Sequence, residues 1–172
     1  MEEKISVLIS EEEVENRIKE MAEQLSKMYK GGTVHLIGIL KGSVMFLARL
    51  AMHMTVPVTM DFISISSYGN GTSSSGTINM KKELDQDIEG KEVVIVEDIL
   101  DSGRTLNYVM AYLKSKNPES LKVITLLDKP ERRVFEVDLA MTGFQIPDRF
   151  VVGYGLDYAE KYRNLPYIGV LD

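Results

Sequence analysis

Residues 92–105 read Glu92-Val93-Val94-Ile95-Val96-Glu97-Asp98-Ile99-Leu100-Asp101-Ser102-Gly103-Arg104-Thr105. Glu92 to Val96 is a short, continuous, β-branched run, the mark of a strand buried on both faces. Acids and a glycine follow, and then Leu106, Val109, Met110 and Leu113 repeat at helical spacing up to Asn117-Pro118. A buried strand that turns through Asp-Ser-Gly into a helix is half of a βαβ unit.

The same grammar extends in both directions. Ser10-Glu11-Glu12-Glu13 has the form of a capping box. It opens a helix through Val14, Ile18, Met21, Leu25 and Met28 that Gly31-Gly32 ends. Val34–Leu40 reads as a strand, and Val44, Leu47, Leu50, Ala51 and Met54 as a helix closed by Pro57. Strands are further expected at 58–65, 78–84, 123–127 and 151–156. Apolar strands separated by helices predict an α/β protein with a central, mostly parallel sheet flanked by helices. No repeat or linker divides it, so residues 1–172 are expected to form a single domain. Residues 66–77 (SSYGNGTSSSGT) are too small and polar to bury, and are expected to be a mobile loop or a hairpin tip.

Composition narrows the chemistry. The 172 residues carry 20 Lys+Arg against 26 Asp+Glu, a net charge of −6, with no Cys and two His. Disulfides, thiolate metal sites, thiol nucleophiles and His-rich metal centres are excluded. Acid–base work falls to carboxylates or lysine. The acidic start, MEEKISVLIS, predicts no secretory leader, and no apolar run approaches the ~18–20 residues of a membrane span. The acidic balance disfavours nucleic acid as a partner.

Ligands of open α/β sheets sit beyond the carboxyl ends of the strands. Lys41-Gly42-Ser43, Glu97 to Thr105, Asp128-Lys129-Pro130-Glu131-Arg132-Arg133 and Asp157 all follow expected strands. Gly103 permits a tight turn, and the helix after it offers free N–H groups and a positive dipole end to a phosphate monoester. Ser102 and Thr105 add hydroxyls. Glu97 and Asp98 can bond vicinal hydroxyls or hold Mg²⁺ through water. One loop thus grips both ends of a ribose 5-phosphate. An ordinary helix cap with solvated acids would look the same. Lys129 and Arg133 taken alone read as a solvated turn, and Phe150 as a core aromatic. The G-x-x-x-x-G-K-[ST] loop is absent, and Gly153-Tyr154-Gly155 lacks the third glycine of a dinucleotide fingerprint.

Val94 to Thr105 resembles the phosphoribosyl-pyrophosphate (PRPP) motif of type I phosphoribosyltransferases. Leu40-Lys41-Gly42, Ser67-Tyr68-Gly69, Lys129 with Arg133, and Pro147 to Tyr158 resemble the 6-oxopurine branch, and the likeness covers roughly residues 7–170. It implies the type I phosphoribosyltransferase fold, with a small hood from the N- and C-terminal segments and an active-site lid at 66–77 that includes Ser67 and Tyr68. It also implies transfer of ribose 5-phosphate from PRPP to N9 of hypoxanthine or guanine, giving IMP or GMP and pyrophosphate, with Mg²⁺.

By the same likeness Glu97 and Asp98 hold the ribose hydroxyls and one Mg²⁺, and Asp157 a second. Asp101, Ser102, Gly103, Arg104 and Thr105 bind the 5′-phosphate, with Asp101 also acting as the catalytic base at purine N7. Lys41, Gly42 and Arg163 hold pyrophosphate, and the bond before Lys41 can be cis in the family. Lys129, Phe150, Val151 and the backbone near Asp157 form the purine pocket, and Arg133 supports it. The resemblance further implies a cytoplasmic homodimer or homotetramer that engages neither nucleic acid nor membrane. The alternatives are a sister enzyme preferring xanthine and an RNA-binding regulator on the same fold.

Overall fold

The computed structural model describes residues 3–68 and 77–172. In chain order the elements are β1 (Ile5–Ile9), α1 (Glu11–Met28), β2 (Val34–Leu40), α2 (Val44–His53), β3 (Val58–Tyr68), β4 (Thr77–Lys82), β5 (Glu92–Leu100), α3 (Arg104–Lys114), β6 (Ser120–Asp128), β7 (Met141–Gln145), β8 (Val151–Val152) and β9 (Ile168–Leu171), with a 3₁₀ turn at Pro130–Arg132. The main sheet runs β4-β3-β2-β5-β6-β7. Its pairs are parallel except β3 with β4. A second, antiparallel sheet, β1-β9-β8, joins the two ends of the chain as the hood.

Alternation along β5 shows how the layers form. Val94 and Val96 face a core built with α1, α2 and the hood residues Ile9, Val151 and Ile168. Val93 and Ile95 face the opposite core, with α3 supplying Leu106, Val109 and Leu113. Helix α1 starts where expected. Ser10 Oγ accepts from the Glu13 N–H and Glu13 Oε1 from the Ser10 N–H, each at 3.2 Å.

Three expectations need correction. Strand β5 runs four residues beyond Val96, so Glu97 and Asp98 lie within it. The strand expected at 151–156 is two residues long and belongs to the hood. Gly153, Tyr154 and Gly155 all take positive φ, which ends the extended backbone there. Strand β7 was not anticipated, because MTGFQ alternates poorly and is mostly half-buried. The expected lid at 66–77 falls mostly outside the described residues.

Candidate active site

The parallel strands β2, β5 and β6 end side by side. Their ends bring together Lys41-Gly42, the Asp101–Thr105 turn and Lys129. The Leu40-Lys41 peptide is cis.

The Asp101–Thr105 turn is clamped by the segment after β6. The Lys129 N–H donates to the Leu100 carbonyl at 2.9 Å, and the Val134 and Phe135 N–H groups donate to the Ser102 carbonyl at 2.8 and 2.9 Å. Arg133 Nε donates to the Asp101 carbonyl at 3.3 Å while its other end pairs with Asp128. Arg104 lies over the Phe135 ring. Gly103 sits at φ +87° as the N-cap of α3, and a Cβ there would strike the Phe135 carbonyl. Glycine is therefore required for conformation and for space alike. The first α3 bond runs from the Asn107 N–H to the Gly103 carbonyl, at 2.9 Å. Among the described residues the N–H groups before it have no partner, except Arg104, whose N–H reaches Ser102 Oγ at 3.3 Å. A cavity of about 230 Å³ opens here, lined by Glu97, Asp98, Asp101, Ser102, Gly103 and Thr105 among others.

Glu97 and Asp98 are buried at its wall. Burial pushes the Glu97 carboxyl well above the usual carboxylate range, and the neighbouring Asp98 charge pushes it the same way. Burial raises Asp98 too, against the lowering pull of its hydrogen bonds and of Arg163. The Asp98 carboxylate lies so close to Gly42 that a Cβ there would overlap it. Gly42 in turn carries Gly155 against its carbonyl, which is how the post-hood turn reaches the sheet edge. Asp157, although not at the end of a sheet strand, lies on that turn. Its Oδ1 is 3.4 Å from Arg163 and its Oδ2 accepts from the Glu160 N–H at 2.9 Å. Arg163 also donates to the Gly155 carbonyl at 2.7 Å, and Lys41 pairs with Glu160 at 3.1 Å.

Among the described residues, no three carboxylate or imidazole side chains gather as a metal cage. Mg²⁺ usually takes one or two carboxylates and fills its shell with water and substrate oxygens. The buried, mutually repelling Glu97–Asp98 pair fits that mode.

The pocket side departs from the plain reading of its residues. Lys129 is only 7% exposed, so it is no solvated turn residue. Among the described residues no hydrogen bond or ion pair engages its ammonium. Phe150, read alone as a core aromatic, is 52% exposed and meets Tyr158 edge-on at 5.8 Å between centroids. The Leu171 N–H donates to the Phe150 carbonyl at 3.0 Å, and Val151 pairs with Val170. Antiparallel alternation then turns the Val151 N–H and C=O away from β9, along an edge strand of the hood. Two partners had no sequence signal: Tyr158 against Phe150, and Arg132, whose Nε is 2.9 Å from Asp101 Oδ1. Ser67 and Tyr68 are the last residues of β3, and the loop beyond them is outside the described residues.

A parallel sheet whose edge carries an acid pair and a glycine turn onto a helix defines a nucleotide-handling α/β protein, and the sequence matches the phosphoribosyl transferase domain over residues 9–159. The chain belongs to that family. It is 49% identical over 165 residues to the hypoxanthine-guanine phosphoribosyltransferase of Bacillus subtilis, covering 96% of this chain and 92% of that one. It is 48% identical over 171 residues to the hypoxanthine phosphoribosyltransferase of Salmonella typhimurium, covering 98% and 96%. A crystal structure of the Bacillus anthracis hypoxanthine-guanine phosphoribosyltransferase, with HEPES in its active site, superposes with a TM-score of 0.94 at 48% identity, covering 99% of this chain and all of that one.

Proposed function

We propose that the chain is a purine-salvage transferase that moves ribose 5-phosphate from PRPP to N9 of hypoxanthine or guanine, giving IMP or GMP and pyrophosphate. The observation that carries the base assignment is Lys129, whose side chain is largely buried, has no hydrogen-bond or ion-pair partner among the described residues, and is set beside the phosphate turn by its N–H bond to Leu100. An ammonium only donates. It matches the O6 acceptor of a 6-oxopurine and opposes the amino group of adenine. Phe150 offers a free ring face for stacking, and the outward Val151 peptide groups supply a donor and an acceptor for the rest of the base edge.

The sugar and phosphates follow the other side of the site. The free N–H groups of Gly103 and Thr105, with the hydroxyls of Ser102 and Thr105, receive the 5′-phosphate at the positive end of α3. Glu97 and Asp98 accept from the ribose hydroxyls. Lys41 and Gly42, through backbone N–H groups, and Arg163, through its guanidinium, hold pyrophosphate. Mg²⁺, held by the Glu97–Asp98 pair and by Asp157, would supply positive charge to the pyrophosphate oxygens. The C1′–O bond to pyrophosphate breaks, the N9–C1′ bond forms, and the N7 proton passes to the Asp101 carboxylate and then to solvent. A cytoplasmic homodimer or homotetramer is the setting we assign. No helix among the described residues is long and apolar enough to cross a membrane.

The test is product analysis with PRPP, Mg²⁺ and each of hypoxanthine, guanine, xanthine, adenine and uracil. IMP and GMP are expected, with AMP near background, because a site built for one hydrogen-bond pattern rejects the wrong one by as much as ~10⁴. Efficient AMP formation overturns the assignment of Lys129. XMP as the main product indicates the xanthine-preferring sister enzyme. No nucleotide from any base, with RNA binding in its place, overturns the enzyme reading.

A further inference from the structure

We propose that Arg132 is a positioning residue for the proposed base, holding the Asp101 carboxylate over the purine pocket and tying it to the segment that carries Phe150. The inference rests on the base role given to Asp101 above. Arg132 closes the 3₁₀ turn Pro130–Arg132, whose Lys129 neighbour belongs to the pocket. Its Nε lies 2.9 Å from Asp101 Oδ1. That oxygen is buried and has no aligned hydrogen bond, so the contact holds it by charge and leaves the other, accessible oxygen of the half-exposed carboxylate to take a proton. The other end of the same guanidinium, Nη1, is 3.5 Å from Asp148, two residues before Phe150. One planar cation therefore spans the phosphate turn and the stacking segment, whose relative placement sets how the N7 proton meets the carboxylate.

The neighbouring Arg133 shows why the side chain needs its own holder. It fixes the Asp101 backbone, through the carbonyl, and is otherwise committed to Asp128. The Asp101 peptide is thus clamped, but among the described residues only Arg132 engages its carboxylate. Rotation about χ1 would otherwise let the carboxylate leave the N7 position, and a displacement of about 1 Å can cost as much as ~10² in rate. The two side chains of the contact are about half exposed, 53% for Arg132 and 45% for Asp101, so solvent weakens it. The effect on rate is correspondingly modest, roughly three- to tenfold.

The experiment is a double-mutant cycle on the full chain with Arg132→Ala, Asp101→Asn and both together. Single-turnover nucleotide formation from hypoxanthine is read beside KM for PRPP. Arg132→Ala should lower the chemical rate by roughly three- to tenfold while KM for PRPP stays within about twofold. In the Asp101→Asn background the same change should alter the rate by less than about twofold, because its target is gone. Arg132→Lys, which restores the charge, should recover part of the loss. Equal losses in both backgrounds mean that Arg132 acts elsewhere and overturn the proposal, as does an Arg132→Ala rate equal to wild type beside a crippled Asp101→Asn. An Asp101→Asn rate within about threefold of wild type removes the base role itself and Arg132's part with it.

Discussion

Lys129→Met separates function from stability. The substitution keeps length and flexibility and removes the charge. Lys129 is 7% exposed and its side chain has no hydrogen-bond or ion-pair partner among the described residues, so removing the charge breaks no contact within the folded protein. An unbranched apolar side chain of similar volume keeps the packing of the buried stem. The melting temperature of Lys129→Met should therefore lie within about 4 °C of the parent's. Catalysis should fall. A hydrogen bond from a charged donor is worth about 1.5–3 kcal/mol, or about 10- to 150-fold in kcat/KM for hypoxanthine. The assay is kcat/KM for hypoxanthine at saturating PRPP, with thermal unfolding of the same preparations. A kcat/KM within about threefold of wild type refutes the O6 contact. A melting temperature more than about 4 °C lower means that the ammonium makes a stabilising contact in the folded protein, since ~1 kcal/mol shifts a domain of this size by about 2–4 °C.

Further outcomes follow from particular contacts. Gly42→Ala places a Cβ on the Asp98 carboxylate and should lower kcat/KM for PRPP by roughly tenfold or more, read from initial rates, while the fold is kept. His35 is 1% exposed, with Nδ1 2.6 Å from Thr59 Oγ1 and Nε2 buried without a partner. Burial holds its pKa below the ordinary value, and Lys91 lowers it further, against the opposing charge of Asp61. The folded form thus prefers neutral His35. Its contribution is whole above the unfolded value of about 6.5 and is lost as pH falls through the depressed folded value. Melting curves from pH 7 to 5 should fall more steeply for wild type than for His35→Gln. Ser10→Ala removes the cap of α1 and should cost about 1 kcal/mol, seen as a lower melting temperature with unchanged activity.

Most of the framework was legible because it is written in local pattern. The unbroken apolar run in β5, the capping box before α1 and the Asp-Ser-Gly turn each carry their own signal, and each folds as that signal directs. The errors come where the deciding contact is distant. The run 151–156 has strand composition, but backbone with positive φ at Gly153, Tyr154 and Gly155 bends it away from the sheet, and nothing in the order of residues reports that. Strand β7 is held by its pairing with β6 rather than by its own alternation. Lys129 reads as solvated because Lys-Pro-Glu-Arg-Arg is a polar turn, and it is buried because that turn folds back over the end of β5. Arg132 was passed over for the same reason, since its partner lies 31 positions earlier in the chain.

The most direct measurement of the central claim is a crystal structure of the protein with IMP bound. The geometry of the site predicts the 5′-phosphate within hydrogen-bond distance of the Gly103 and Thr105 N–H groups, the hypoxanthine ring stacked on Phe150, Lys129 Nζ about 2.7–3.2 Å from O6, and the Asp101 carboxylate facing N7. A nucleotide seated with its base away from Lys129, or with its phosphate off the Asp101–Thr105 turn, would contradict it.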